Sequence, residues 1–395
     1  MIHPQRLDPT HALSGRDIVC FSNDWDGDPL SKTHIMKILA KENRVLWINS
    51  ISNRRPTASS QDLGRIVKKL GDAMRGLTEP WPNLHVLGPL ALPAFGGMAR
   101  RINGSVFRSQ ILRAMRRLHY ERPISWSFLP ASAPVSGTLG EELVVYHCVD
   151  EFSAFAGAPA EIAQMEADLA RRADLVLVSA DRLRDAKLPY NANCRVVRHG
   201  VDYEHFSQAL SPMTTPPAEL TSLPKPVIGF FGLLAEWVDL SLVRSVADAF
   251  PRGSVVLLGK VQTSLAPLAG ASNVHLMGRR PYEELPRWCK GFDVGLMPFV
   301  ESELARSSNP LKVREYLAAG LPVVSTPVPE VARLAHCRIA SGHRSFIQAV
   351  QAALDDPTPR AARSQTIAAE SWEARVQEIR SAVAATYLRR ELPRG

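Results

Sequence analysis

Residues 307–326 read SSNPLKVREYLAAGLPVVST, a polar turn followed by a short amphipathic helix and a buried strand. Pro310 suits a first helical position, and Ser308 or Asn309 can cap the free amides before it, so this helix end favours a bound anion. Lys312 adds a full positive charge beside that end. Glu315 lies three residues on, on a neighbouring face, where a carboxylate can accept both hydroxyls of a ribose. Gly320 stops the helix, and residues 322–325 read as a strand. An ordinary alternating α/β unit has the same outline, so the fold is read from the unit and its chemistry from Lys312 and Glu315.

Upstream, the same alternation recurs. Apolar runs at 18–21, 45–48, 84–87, 124–128, 143–146, 175–178 and 196–197 read as buried parallel strands, and 31–41, 105–119 and 159–172 carry helical spacing. The stretch 210–226, LSPMTTPPAELTSLPKP, has five prolines and reads as a linker. Beyond it the pattern restarts with strands at 227–231, 255–258, 274–276, 294–297 and 322–324, and 371–389 reads as a long helix. The expected organisation is α/β throughout: a Rossmann-like domain over 1–209, the linker, a second Rossmann-like domain over 227–370, and a terminal helix and tail over 371–395. At 395 residues, 45% of them hydrophobic, two cores are expected.

The five cysteines lack paired spacing, which favours reduced thiols in the cytoplasm. With no apolar leader core and no run of about 18 apolar residues, the chain is expected to be neither exported nor membrane-spanning. Net charge is +8, and residues 63–122 alone hold 11 Lys or Arg against 3 acids. Within them, 62–77 and 98–120 mix basic and apolar residues at helical spacing, which suits either a solvated face or peripheral contact with an anionic membrane. Nucleic acid is not expected, for want of interleaved aromatics or a recognisable module.

Two loops carry further chemistry. Val144–Phe155, VVYHCVDEFSAF, leaves a strand for a polar turn, and ligands collect at such carboxyl ends of open sheets. Asp150 is the first candidate for a general base there, with Glu151 and His147 as substitutes; Asp150 as a simple turn cap is the structural alternative. After the first strand, DWDGD places Asp24 with Asp26 and Asp28 ahead of Ser31 and His34, a loop suited to helix capping or polar contacts rather than a metal. In the second half Gly232, Gly259 with Lys260, and Gly278 with Arg279 and Arg280 follow successive strands, where glycine amides and cations suit a diphosphate. The tetrad His199 to Asp202 reads as a hinge ahead of the linker.

These residues, above all Asp150, the tetrad and 307–326, resemble glycosyltransferases of the GT-B architecture, especially the branch with teichuronic-acid and exopolysaccharide transferases. The resemblance covers about 17–387. It implies two facing Rossmann-like domains, a last helix crossing back to the first, and a nucleoside-diphosphate sugar as donor, with no cofactor or metal. Ser308, Asn309, Pro310, Leu311, Lys312 and Glu315 would bind that donor, with Lys312 at the diphosphate and Glu315 at the ribose, assisted by Gly232, Lys260, Arg279 and Arg280. Asp150 would act as base on a carbohydrate or polyprenyl-linked acceptor, contacted through Asp24, Ser31 and His34. Many retaining members carry two glutamates separated by seven residues, and with Glu315 as the second the first falls at Ser307 here. Glu236 likewise stands where many relatives place a basic residue.

A GT-B-type sugar-nucleotide epimerase or hydrolase, or a non-catalytic sugar-nucleotide-binding subunit, shares this architecture. A nicotinamide oxidoreductase would show G-x-G-x-x-G after the first strand, and residues 22–32 have no such pattern.

Overall fold

The computed structural model describes residues 8–9, 11–50, 71, 76–89 and 97–391, with the side chains of 97–103 and 391 left aside. The chain divides into two compact units, one of residues 1–198 and 376–395, the other of 199–375.

The first unit holds an eight-stranded sheet. Its strands are β1 (Asp17–Phe21), β2 (Arg44–Ile48), β3 (Leu77–Trp81), β4 (Leu84–Leu87), β5 (Ile124–Ser127), β6 (Leu143–Cys148), β7 (Leu175–Val178) and β8 (Cys194–Val196). They run in the order β3-β4-β2-β1-β5-β6-β7-β8, parallel except for β3, which pairs antiparallel with β4. Strand order reverses between β1 and β5, the crevice position at which open α/β sheets take ligands. The second unit has β9 (Val227–Phe231), β10 (Ser254–Leu258), β11 (Val274–Gly278), β12 (Val294–Met297), β13 (Val323–Ser325) and β14 (Cys337–Ile339), all parallel in the order β11-β10-β9-β12-β13-β14. Here the reversal falls between β9 and β12.

The central strands are buried on both faces and so read as continuous apolar runs, which is why their positions were legible. β3, LTEPW, is an exposed edge strand containing a proline, and β14 has three residues; neither carries that signal.

The division after Arg198 differs from the expected linker at 210–226. Phe206, Ala209 and Leu220 enter the core of the second unit, and residues 218–221 form a helical turn, so this proline-rich stretch packs as part of a domain. The last helix, Trp372–Glu391, belongs to the first unit from Val376 onward. There Tyr387 donates to Glu142 (3.1 Å), Thr386 accepts from Asn193 (2.9 Å) and Arg380 reaches Glu42 (2.9 Å).

Of the basic segment 63–122, residues 63–70, 72–75 and 90–96 lie outside the described residues. In the helix Gly97–Arg117, Phe107, Ile111, Ala114 and Met115 are buried with Phe21 and Leu46. These four apolar residues are therefore part of the core and unavailable to lipid, while Arg108, Arg113, Arg116 and Arg117 are exposed. Among the described residues no helix is long and apolar enough to cross a membrane.

Candidate functional site

In the second unit, the segment 307–326 forms the helix Leu311–Ala318 followed by β13. Val313 and Leu317 are buried, and the hydroxyl of buried Tyr316 accepts from the Phe231 amide at the end of β9 (2.9 Å). These contacts fix the helix against the sheet edge, with Lys312 and Glu315 half-buried on its other side. The expected side-chain cap is absent. Pro310 stands at the N-cap position, the Ser308 hydroxyl donates to the Ala305 carbonyl (2.9 Å), and the Asn309 side chain accepts from Arg314 (2.6 Å). The first amides of the helix thus have no side-chain acceptor, the condition in which a helix end favours an anion. Leu311 opens the helix.

Lys312 extends to the carboxyl end of β9, its ammonium 5.6 Å from the Phe230 ring and 5.2 Å from the Phe299 ring. Burial pulls its pKa down to about 8, against the opposing pull of Glu315. Burial raises Glu315 to about 7, with Lys312 lowering it and Asp202 raising it. A cation and a carboxylate of marginal ionisation thus share one crevice, and a phosphate or a pair of hydroxyls there would restore the solvation each has lost.

The Gly232 amide donates to the Leu258 carbonyl (2.9 Å), and the Gly259 amide to the Gly278 carbonyl (2.8 Å). Those amides serve the sheet instead of pointing at a ligand, contrary to expectation. What Gly232 supplies is room: with φ +139, a Cβ on it would lie 2.8 Å from Cε of Lys312. Lys260 and Arg279 are exposed on the same edge. Arg280 is engaged elsewhere, 3.2 Å from Glu219 and stacked 4.8 Å above Trp288, which removes it from the crevice. Ser307 is buried and donates to Glu303 (3.1 Å).

In the first unit, Asp150 is half-buried just beyond β6, and burial raises its pKa to about 6. The charge acting against that rise is Lys32, 6% exposed in the helix Ser31–Leu39, whose ammonium donates to the Asn23 side chain (2.6 Å). Lys32 is itself lowered to about 8, burial outweighing Asp150 and Cys20. A carboxyl titrating near 6 is suited to take a proton at neutral pH. Asp150 is not a turn cap: the neighbouring 3-10 turn has Glu151 at its cap position and no side-chain cap bond.

The two substitutes fare differently. Glu151 accepts from Lys187 (3.1 Å) and Ser153 (2.6 Å), and Lys187 also holds buried Glu166 (2.8 Å), which accepts from Tyr146 (2.5 Å). Glu151 is thereby part of a structural ion cluster. His147 is 1% exposed, stacked 4.9 Å from Phe128 inside the sheet core, away from any incoming hydroxyl. Asp24 accepts from Ser50 (3.1 Å), Ser31 is buried, and His34 is half-buried on the same helix as Lys32. Among the described residues no three His, Cys, Asp or Glu side chains are arranged to hold a metal ion.

Sequence reasoning singled out neither Lys32 nor Arg314, and it read Asp202 only as part of a hinge. Asp202 caps the helix Tyr203–Ser207 through the His205 amide (3.2 Å) while its charge acts on Glu315. Lys32 had one signal, a lysine two residues into the helix after the first strand, but its burial depends on tertiary contacts.

Residues 225–356 match the family described as Glycosyl transferases group 1. Over 231 residues the chain is 27% identical to a Bacillus subtilis (strain 168) protein provisionally named teichuronic acid biosynthesis glycosyltransferase TuaH, covering 54% of this chain and 58% of that one. The chain thus matches less than two thirds of that relative's length. Sucrose-phosphate synthase from Thermosynechococcus elongatus superposes with a TM-score of 0.69 at 15% identity, over 95% of this chain and 100% of that one. The Anabaena protein Alr3699/HepE, in complex with UDP, gives 0.63 at 15% identity over 94% and 100%. At such identity these likenesses establish the fold, α/β with two Rossmann-like sheets as in GT-B glycosyltransferases.

Proposed function

We propose that this chain, whose residues 225–356 match the glycosyl transferases of group 1, moves a sugar from a nucleoside-diphosphate sugar onto a carbohydrate or lipid-linked acceptor for cell-surface polysaccharide or glycoconjugate synthesis. The observation that carries this reading is Lys312, brought over Gly232 at the strand ends by a helix with uncapped amides and followed one turn later by Glu315. That the HepE structures hold UDP and UDP-glucose favours a nucleotide-sugar donor, and the B. subtilis relative favours a polysaccharide product.

In this reading the diphosphate lies against the first amides of the helix Leu311–Ala318 and the Lys312 ammonium, and Glu315 accepts from the ribose hydroxyls. Asp150 of the first unit takes the proton of the acceptor hydroxyl as its oxygen bonds to the anomeric carbon. The bond from that carbon to the diphosphate breaks, and the nucleoside diphosphate leaves with the electron pair, its charge offset by Lys312 and the helix end without a metal ion. The enzyme is assigned to the cytoplasmic side, with peripheral electrostatic contact between its exposed arginines and anionic lipid.

The test is incubation with nucleotide sugars, with and without lipid-linked or oligosaccharide acceptors. Acceptor-dependent release of nucleoside diphosphate supports transfer. Release without acceptor marks a hydrolase, an isomerised donor marks an epimerase, and binding without turnover marks a non-catalytic subunit.

A further inference from the structure

The second unit also holds a closed ring of hydrogen bonds through five residues, by side chains and two main-chain carbonyls, that the proposed chemistry does not use. Arg314, 1% exposed, donates through Nη1 to the Asn309 side chain (2.6 Å) and through Nε to Glu370 (2.8 Å). Glu370 also accepts from Arg375 (2.8 Å), whose Nε donates to the His199 carbonyl (3.4 Å). His199, itself buried, closes the ring from Nδ1 to the Asn309 carbonyl (2.6 Å). A carbonyl only accepts, so Nδ1 carries the proton.

Two observations point beyond packing. His199 and Arg375 are the first and last residues of this unit, so the ring ties the turn before Lys312 to both of its ends. Furthermore, a fully buried arginine is a poor way to gain stability, since an apolar residue of similar volume commonly serves as well or better; a buried charged network is better explained by the single arrangement it enforces. Asn309 is held on two sides, at its side chain by Arg314 and at its carbonyl by His199. Pro310 follows with its fixed φ, and Lys312 two residues later.

We propose that Arg314 is a positioning residue, which acts through Asn309 to hold the turn 308–310 in the one shape that brings Lys312 and the first helical amides to bear on an anionic ligand. His199, from the tetrad read in the sequence as a hinge, is its counterpart on the backbone side. The proposal rests on the donor reading above for its ligand but makes a claim about the turn that is independent of it.

The test compares wild type, Arg314→Met, Asn309→Ala and the double variant, by hydrogen exchange without ligand and by calorimetric titration with UDP. Methionine keeps the volume and leaves Glu370 paired with Arg375; Asn309→Ala breaks the same link without touching the buried arginine. Each single variant is expected to raise exchange selectively over residues 308–313 and to weaken UDP binding about tenfold. The double variant is expected to be no worse than the weaker single one, because both remove one link. Unchanged exchange at 308–313 in both single variants, exchange raised evenly across the unit, or additive losses in the double variant would each overturn the proposal. Wild type that binds no UDP would sink the donor reading instead, and the exchange data would still decide the role of Arg314.

Discussion

Lys32 and Asp150 form an opposed pair at the carboxyl edge of the first sheet: burial pushes the carboxyl up to about 6 and the ammonium down to about 8, and each restrains the shift of the other. If Asp150 is the base, kcat/KM falls below about pH 6 as its carboxylate takes up a proton. It falls again above about pH 8 as Lys312, also lowered by burial, loses the charge that attracts the donor. Lys32→Met removes the charge holding Asp150 down, so the acid limb should move to higher pH. Profiles of kcat/KM against pH for both proteins check this, and an acid limb that stays in place would separate the two residues.

Asp150→Asn keeps the shape of the side chain but replaces one acceptor oxygen with an NH2 donor and cannot take up a proton. Loss of a positioned general base typically costs about 10²–10⁴ in rate. We expect kcat to drop by that order while UDP affinity, measured by calorimetry, stays within about twofold. Full turnover in this variant would assign the base elsewhere.

Lys312 and Glu315 are separable by ligand. Lys312→Ala should weaken both UDP and inorganic pyrophosphate by about ten- to a hundredfold, the range of about 1.5–3 kcal/mol for a charged hydrogen bond. Glu315→Ala should weaken UDP more than pyrophosphate, because its partner is the ribose and pyrophosphate feels it only through the ionisation of Lys312. Competition titrations with the two ligands distinguish these outcomes.

Gly232→Ala combines two penalties, a backbone at φ +139 and a methyl 2.8 Å from Cε of Lys312. We expect a loss of about 1–3 kcal/mol in stability together with weaker UDP binding as the lysine is displaced. Gly259→Ala should be worse, since its methyl would lie 1.8 Å from the Gly232 carbonyl oxygen, which cannot swing aside. Thermal melts and calorimetry on the two variants test this order.

The strands were legible wherever they are buried on both faces, because nothing but continuous apolar sequence satisfies such a position. The edge strand Leu77–Trp81 was not, since its exposure leaves no pattern to read. Lys312, Glu315 and Asp150 could be picked out because each follows a recognisable strand or turn. Lys32 and Arg314 could not, because lysine and arginine on a helix usually face water, and only the packed chain reveals them as buried. The same limit explains Gly232, whose role is the space it leaves for a residue 80 positions away.

The cysteines have a practical consequence. Cys20, Cys148, Cys194 and Cys289 are buried, while Cys337, on the edge strand β14, is partly exposed. Burial holds even the Cys337 thiol up to about 12, so its reaction with a maleimide should be slow at neutral pH. The Cys194 thiol is raised less, to about 11, but it is buried, so under forcing conditions exposure should make Cys337 the first to react. The natural protein therefore carries its own attachment point for a fluorophore, through which ligand-induced motion can be followed without engineering a new thiol.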